Sequence, residues 1–270
     1  MTGDTAARSL AHWSEAGRAE MEAFYALATE DYRQLAAADD WSAALRARAR
    51  DGVVSLLDVA CGSGKWPAAL LKAGLDADLR VEVDLLDPSA FSVAEARVVL
   101  APPFAAAAEH VVGIQELDPA AGPYDVVWAV HALYAVPPAD FAAGLARMVA
   151  AVRPGGLGMV AQATSASHYL RVYEAYRASH AATPYTSGDD VVAGLRALGV
   201  APEVRLVRYT TSSADRAVVE GFLQRCLFDD TLTLADMESP GPLADYLATC
   251  RAQPDTYTFT HEVSLITWTP

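Results

Sequence analysis

Leu56-Leu57-Asp58-Val59-Ala60-Cys61-Gly62-Ser63-Gly64 joins an apolar run to a turn that contains glycine. The run, from Val53 to Asp58, has the composition of a parallel strand buried on both faces. A helix is predicted from about Trp66. Strand, turn and helix in this order mark the first switch-point turn of a doubly wound sheet, where ligands bind beyond the carboxyl ends of the strands. Gly62 and Gly64 let the backbone approach a ligand with no Cβ in the way. Asp58 places an acid at the end of the strand. A dinucleotide G-x-G-x-x-G would need a third glycine at position 67, where Pro67 stands, so a nicotinamide dehydrogenase is disfavoured.

The same rhythm continues outward. Strands are predicted at 80–87, 109–114, 124–130 and 157–162, with helices after the second and fourth. Phe141, Leu145, Met148, Val149 and Val152 form one helical face, and Arg153-Pro154-Gly155-Gly156 reads as the turn that ends it. Strand–helix alternation predicts a parallel sheet with helices on both faces and right-handed crossovers. The second half is less regular. A helix is predicted over 167–181, and Ser187 to Asp190 reads as a capping box before another. Residues 203–210 alternate like a strand, and 214–250 read as helical with a break near Ser239-Pro-Gly-Pro242. Residues 256–268 form a last strand with Tyr257, Phe259, His261 and Val263 on one face. On the N-terminal side, residues 6–48 read as two helices, with Leu10, Trp13, Gly17, Met21, Phe24 and Ala28 as a stripe.

Asp58-Val-Ala60-Cys-Gly62-Ser-Gly64 resembles the first motif of the class I S-adenosylmethionine-dependent methyltransferases, acid-x-Gly-x-Gly-x-Gly, with Ala60 in the first glycine place. The resemblance continues in Asp87, in Tyr124-Asp125-Val126-Val127 and in Arg153-Pro154-Gly155-Gly156, over roughly residues 53–162. It implies a Rossmann-like α/β fold with a seven-stranded sheet, closed by an antiparallel strand and covered by a helical cap. It also implies S-adenosylmethionine as cofactor and S-adenosylhomocysteine as product. In that reading Asp58 and the backbone of Ala60, Gly62, Ser63 and Gly64 hold the amino acid end. Asp87, with Pro88 after it, accepts from the ribose hydroxyls. Gln115 stands where the adenine is read, and Val130 and His131 lie near the sulfur. The expected organisation is one domain over 1–270, with its core near 53–163, 184–210 and 256–270. The cap is expected near 1–50, 164–183 and 211–252.

The cap segments carry many aromatic residues, which suits a small organic acceptor and could favour a sulfonium through cation–π contact. Tyr25, Tyr134, Tyr169 and Phe222 are the substrate-side candidates. His131 and His168 are the candidate bases for a hydroxyl, phenol or carbon-acid nucleophile; a neutral amine would need none. N-, O- and C-methylation all remain open, and the cap layout is similar to small-molecule N-methyltransferases of the histamine type. The alternative is an enzyme of the same fold that uses the bound cofactor for cyclisation or rearrangement without methyl transfer. A net charge of −14 disfavours nucleic acid and anionic membranes as partners. No apolar run is long enough to span a bilayer and no leader is evident, so a cytoplasmic location is expected. Cys61, Cys226 and Cys250 suggest neither a disulfide framework nor a metal site. A homodimer is compatible with the sequence.

Overall fold

The computed structural model describes residues 7–8, 18–253 and 255–270. Its sheet contains β1 (Val54–Val59), β2 (Val81–Leu86), β3 (Phe104–His110), β4 (Tyr124–Val130), β5 (Val152–Ala163), β6 (Glu203–Ser213), β7 (Arg251–Gln253) and β8 (Thr256–Trp268). The strand order is β3-β2-β1-β4-β5-β8-β6, with β7 paired to β8. The first five strands pair in parallel, and β8 enters antiparallel between β5 and β6. This is the doubly wound α/β sheet expected from the sequence. All seven expected strands lie on its path, and the three-residue β7 is an addition.

Two strands differ from their predicted bounds by more than three residues at an end. The third runs over 104–110, not 109–114. It forms the edge of the sheet, and Ala105 to Glu109 are exposed, so no apolar alternation announces it. Ile114 instead begins a short 3-10 turn over Ile114–Glu116. The fifth strand starts at Val152, and Arg153 to Gly156 lie within it. A register shift opposite Tyr124 and Val126 accommodates them without ending the ladder.

The helices are α1 (Arg18–Ala36), α2 (Trp41–Arg46), α3 (Lys65–Lys72), α4 (Ala90–Val99), α5 (Pro138–Ala151), α6 (His168–Arg177), α7 (Gly188–Ala197), α8 (Arg216–Leu227), α9 (Leu234–Met237) and α10 (Pro242–Thr249). The expected capping box holds: the Ser187 hydroxyl accepts from Asp190 N, and the Asp190 carboxylate accepts from Ser187 N at 2.8 Å. Of the N-terminal stripe, Leu10, Trp13 and Gly17 lie outside the described residues.

Alternation along β1 sends side chains to both faces of the sheet. Leu56 packs with Val83, Trp66 and Trp128 on one face, and Leu57 with Val127, Leu145 and Met148 on the other. A third cluster joins α1, α6, α8 and α10 to β8 through Ala28, Tyr173, Phe222, Leu247 and Phe259. Burying each such large side chain contributes about 1.5–3 kcal/mol before entropy is counted. At the amino end of β4, Asp125 accepts from Ser55 N at 2.8 Å and Arg50 Nε at 3.0 Å, and pairs with Arg153. These bonds fix the end of the sheet away from the candidate site. No described helix is long and apolar enough to cross a membrane.

Candidate functional site

The chain winds outward from β1 through β2 to β3 and returns to β4, so the topological switch lies between β1 and β4. Register sets Asp58 between Leu85 and Trp128, and Val59 between Leu86 and Ala129. The carboxyl ends of three strands therefore open on one cleft of about 440 Å³, lined by Asp58, Asp87, Val130 and the turn after β1.

That turn is left-handed at Ala60 (φ 51°), Gly62 (φ 51°) and Gly64 (φ 71°). Ala60 thus adopts a conformation that costs an L-residue roughly 1–2 kcal/mol. Ala60, Gly62 and Ser63 line the cleft, as do Pro88 and Gln115. Gly64 does not. A Cβ there would come within 3.1 Å of Ala96 Cα and 3.2 Å of Val99 Cβ, so this glycine lets the turn pack on α4.

The two acids differ in their surroundings. Asp87 accepts from Ser89 N at 2.8 Å through Oδ1 and from Gly62 N at 3.1 Å through Oδ2. Each carboxylate oxygen keeps a lone pair for a ligand. Burial raises its pKa above the usual carboxylate range. Asp58 is only 3% exposed, and its Oδ2 has no hydrogen-bond partner. Burial first, then the charge of Asp87, pushes its pKa up to about 7. Lys65 Nζ lies 4.3 Å from the ring centre of Tyr25, whose hydroxyl is 3.5 Å from Ser63 Oγ. Gln115 folds its amide over Gly113, where a Cβ would come within 2.7 Å of it.

A second cavity of about 70 Å³ lies under the cap and shares Tyr32, His131 and Tyr134 with the cleft. Phe24, Tyr169, Tyr185 and Phe228 give it aromatic walls, while Asp31, Gln162 and Arg225 bring polar groups to it. His131 follows β4 directly, at φ 51°, with its N–H donating to Ala161 O at 2.8 Å. Non-glycine residues held left-handed tend to occur where the surroundings over-determine them, often at working sites. Burial lowers the His131 pKa to about 4, so its ring is neutral at pH 7. Its Nε2 is unpartnered and stands 3.7 Å from Asp31 Oδ2.

Of the sequence-predicted substrate residues, Tyr25 lines the cleft, Tyr169 the inner cavity and Tyr134 both. Phe222 and His168 line neither. Phe222 is fully buried and stacks on Phe24. His168 is buried 4.2 Å, centre to centre, from the ring of Phe259, and its Nδ1 lies 2.8 Å from Tyr246 Oη. Burial keeps it neutral, and it lies behind the residues that line the two cavities. The structure thus places His168 in the aromatic packing of the cap, with its Nε2 buried and unpartnered. Sequence reading missed Asp31, Tyr32, Lys65 and Gln162. Asp31 carried a usable signal, since Phe24, Ala28, Asp31 and Leu35 share one face of α1 and all but the acid are apolar. Among the described residues no group of three or more acids, histidines or cysteines could hold a metal.

Residues 56–156 match the family model of the methyltransferase domain. Several solved structures share the fold. A Bacillus halodurans C-125 protein provisionally named a methyltransferase aligns at 16% identity and TM-score 0.55, over 85% of this chain and 98% of its own. The magnesium protoporphyrin IX methyltransferase of Synechocystis PCC 6803, with bound S-adenosylhomocysteine, aligns at 13% identity and TM-score 0.53, over 97% and 99%. The plantazolicin methyltransferase, also with S-adenosylhomocysteine, aligns at 12% identity and TM-score 0.52, over 97% and 94%. No curated protein matches the sequence significantly. Residues 56–156 thus carry a methyltransferase domain, and the chain as a whole shares the fold of methyltransferases solved with S-adenosylhomocysteine.

Proposed function

We propose that this enzyme transfers a methyl group from S-adenosylmethionine to a small organic acceptor, with His131 at the meeting point of donor and acceptor. The observation that carries this reading is the pair of neighbouring cavities that share His131, Tyr32 and Tyr134 as lining residues. The larger one fits the cofactor's chemistry. The unpartnered carboxylate oxygen of Asp58 suits the ammonium of the amino acid tail, and Asp87 has lone pairs left for ribose hydroxyls. Ile114, Leu86 and Val130 give an apolar bed for the adenosine. Ala60, Gly62 and Ser63 supply the backbone approach, and Pro88 and Gln115 complete the wall.

When bound, the cofactor supplies an electrophilic methyl on a sulfonium. The protein's share is to align the acceptor, exclude water and take a proton. Alignment alone supplies much of the rate in a direct displacement. Tyr134 and Tyr169 flank the acceptor path. The neutral His131 ring presents its unpartnered Nε2 on the acceptor side, where it can take the acceptor's proton. Tyr25 closes the cleft at the cofactor's end.

The test is incubation with S-adenosylmethionine and a panel of small amines, phenols and carbon acids, measuring S-adenosylhomocysteine and product mass together. Stoichiometric S-adenosylhomocysteine with a product heavier by one methyl supports transfer. Product without S-adenosylhomocysteine would replace this reading with cyclisation or rearrangement.

A further inference from the structure

The inner cavity shows an unusual balance of unused hydrogen-bonding groups. Asp31 sits on α1 among apolar neighbours, 2% exposed. Its Oδ2 accepts from Tyr169 Oη at 2.6 Å; its Oδ1 has no partner at bonding distance, although the Tyr209 hydroxyl, also unpartnered, acts on the same carboxylate. Gln162, 1% exposed at the carboxyl end of β5, donates its Nε2 to Thr186 O at 3.0 Å. That bond fixes the amide orientation, because the flipped form would set oxygen against oxygen. It leaves Oε1 as a buried acceptor with no partner. His131 Nε2 is the third unpartnered atom.

A buried acceptor left unmade is costly, so this cavity is shaped for a ligand that brings several N–H donors. A phenol or alcohol brings one. A carboxylate brings none and would face Asp31. An ammonium brings up to three, and the aromatic walls of Phe24, Tyr134, Tyr169 and Phe228 favour a cation. Arg225 also lines the cavity; burial disfavours its charge and the carboxylate of Asp230 favours it.

We propose that the inner cavity is an ammonium site: the methyl acceptor is a small primary or secondary amine, held by Asp31 and Gln162 and deprotonated by His131. This rests on the methyltransferase reading and adds the acceptor class to it. The amine enters as its conjugate acid and gives one N–H proton to His131 Nε2. The ionised Asp31, 3.7 Å away, stabilises the imidazolium. The freed nitrogen lone pair forms the bond to the methyl carbon, and the electron pair of the breaking C–S bond stays on sulfur. The product is a methylated ammonium and a neutral thioether. Burial raises the Asp31 pKa to about 7 in the free protein, which a bound cation would reverse.

The experiment is calorimetric binding to the full chain, with and without saturating S-adenosylhomocysteine. The probes are butylamine, butanol and butyrate, then phenethylamine, phenethyl alcohol and phenylacetate. Each amine is expected to bind about tenfold or more tightly than its alcohol and its carboxylate. Asp31→Asn should lower amine affinity by about tenfold while leaving S-adenosylhomocysteine affinity within about twofold. Gln162→Leu is a second variant should Asp31→Asn fail to fold, and the wild-type ranking needs neither. Equal binding of alcohols, tighter binding of carboxylates (which would point to Arg225), no binding of either amine, or unchanged amine affinity in a folded Asp31→Asn would each overturn the proposal. Failure of S-adenosylhomocysteine to bind would instead count against the cofactor reading, and the amine ranking measured without it would still decide this one.

Discussion

The cofactor cleft and the inner cavity touch at His131 but are built in opposite ways. The cleft is lined mainly by short continuous segments: the end of β1 and the turn after it, the ends of β2 and β4 with the residues that follow them, and the turn over Gly113–Glu116. The inner cavity draws on α1, the residues after β4, the end of β5, α6 and α8, which are far apart in the chain. The cleft answers a fixed ligand with backbone shape and two acids. The inner cavity is instead walled by side chains from separate elements of the cap and sheet.

The largest effect that would separate the two regions is on turnover. His131→Ala should lower the rate on a true acceptor by roughly 10²–10⁴, the range for loss of a general base. Its affinity for S-adenosylhomocysteine should stay within about threefold, because the cleft's polar contacts are untouched. A larger loss of binding with little loss of rate would move His131 from the reacting position to the cleft wall.

Asp87→Ala should act on the cleft alone. Losing hydrogen bonds to a charged group costs about 1.5–3 kcal/mol, so S-adenosylhomocysteine should bind roughly 10–100-fold more weakly. Unchanged affinity by calorimetry would refute the assigned cofactor geometry.

Asp58 gives a pH signature. Its pKa, about 7 in the free protein, stands above the ordinary value near 3.8. The folded chain therefore holds this proton where the unfolded chain has lost it, and the group's contribution to stability falls as pH rises from about 4 to about 7. Binding the cofactor's ammonium requires the ionised form. Moving from about pH 8 to about pH 6 should therefore weaken S-adenosylhomocysteine roughly tenfold, and Asp58→Asn should flatten that slope. A wild-type affinity flat across this window would show that Asp58 does not meet the tail.

The smallest effect is at Ala60. Ala60→Gly relieves the left-handed strain but frees the unfolded chain, so the net gain should be within about 1 kcal/mol and the thermal midpoint should rise slightly. A clear drop would mean that the Ala60 methyl makes a contact the turn depends on.

How legible each region was follows from the same difference. The cleft could be read because its parts are local: an acid, a glycine turn and a second acid at the next strand end sit within about thirty residues. β8 was read to the residue because Tyr257, Phe259, His261 and Val263 alternate against a core. The third strand was misplaced because an exposed alanine edge has no alternation to show. The surroundings of His168 were not legible, because a histidine's chemistry depends on what packs around it, and here that is Phe259, Phe222 and Tyr246. Gln162 gave no signal at all, since nothing in LGMVAQ tells that its amide oxygen lacks a partner. Asp31 could have been caught, as an acid on an apolar helical stripe.

The most direct test of the central claim is calorimetric titration of the purified protein with S-adenosylmethionine and, separately, S-adenosylhomocysteine. The account predicts one-to-one binding of both in the micromolar range. No binding of either would mean that the turn after β1 does not hold this cofactor in this chain, and the account of the cleft would be contradicted.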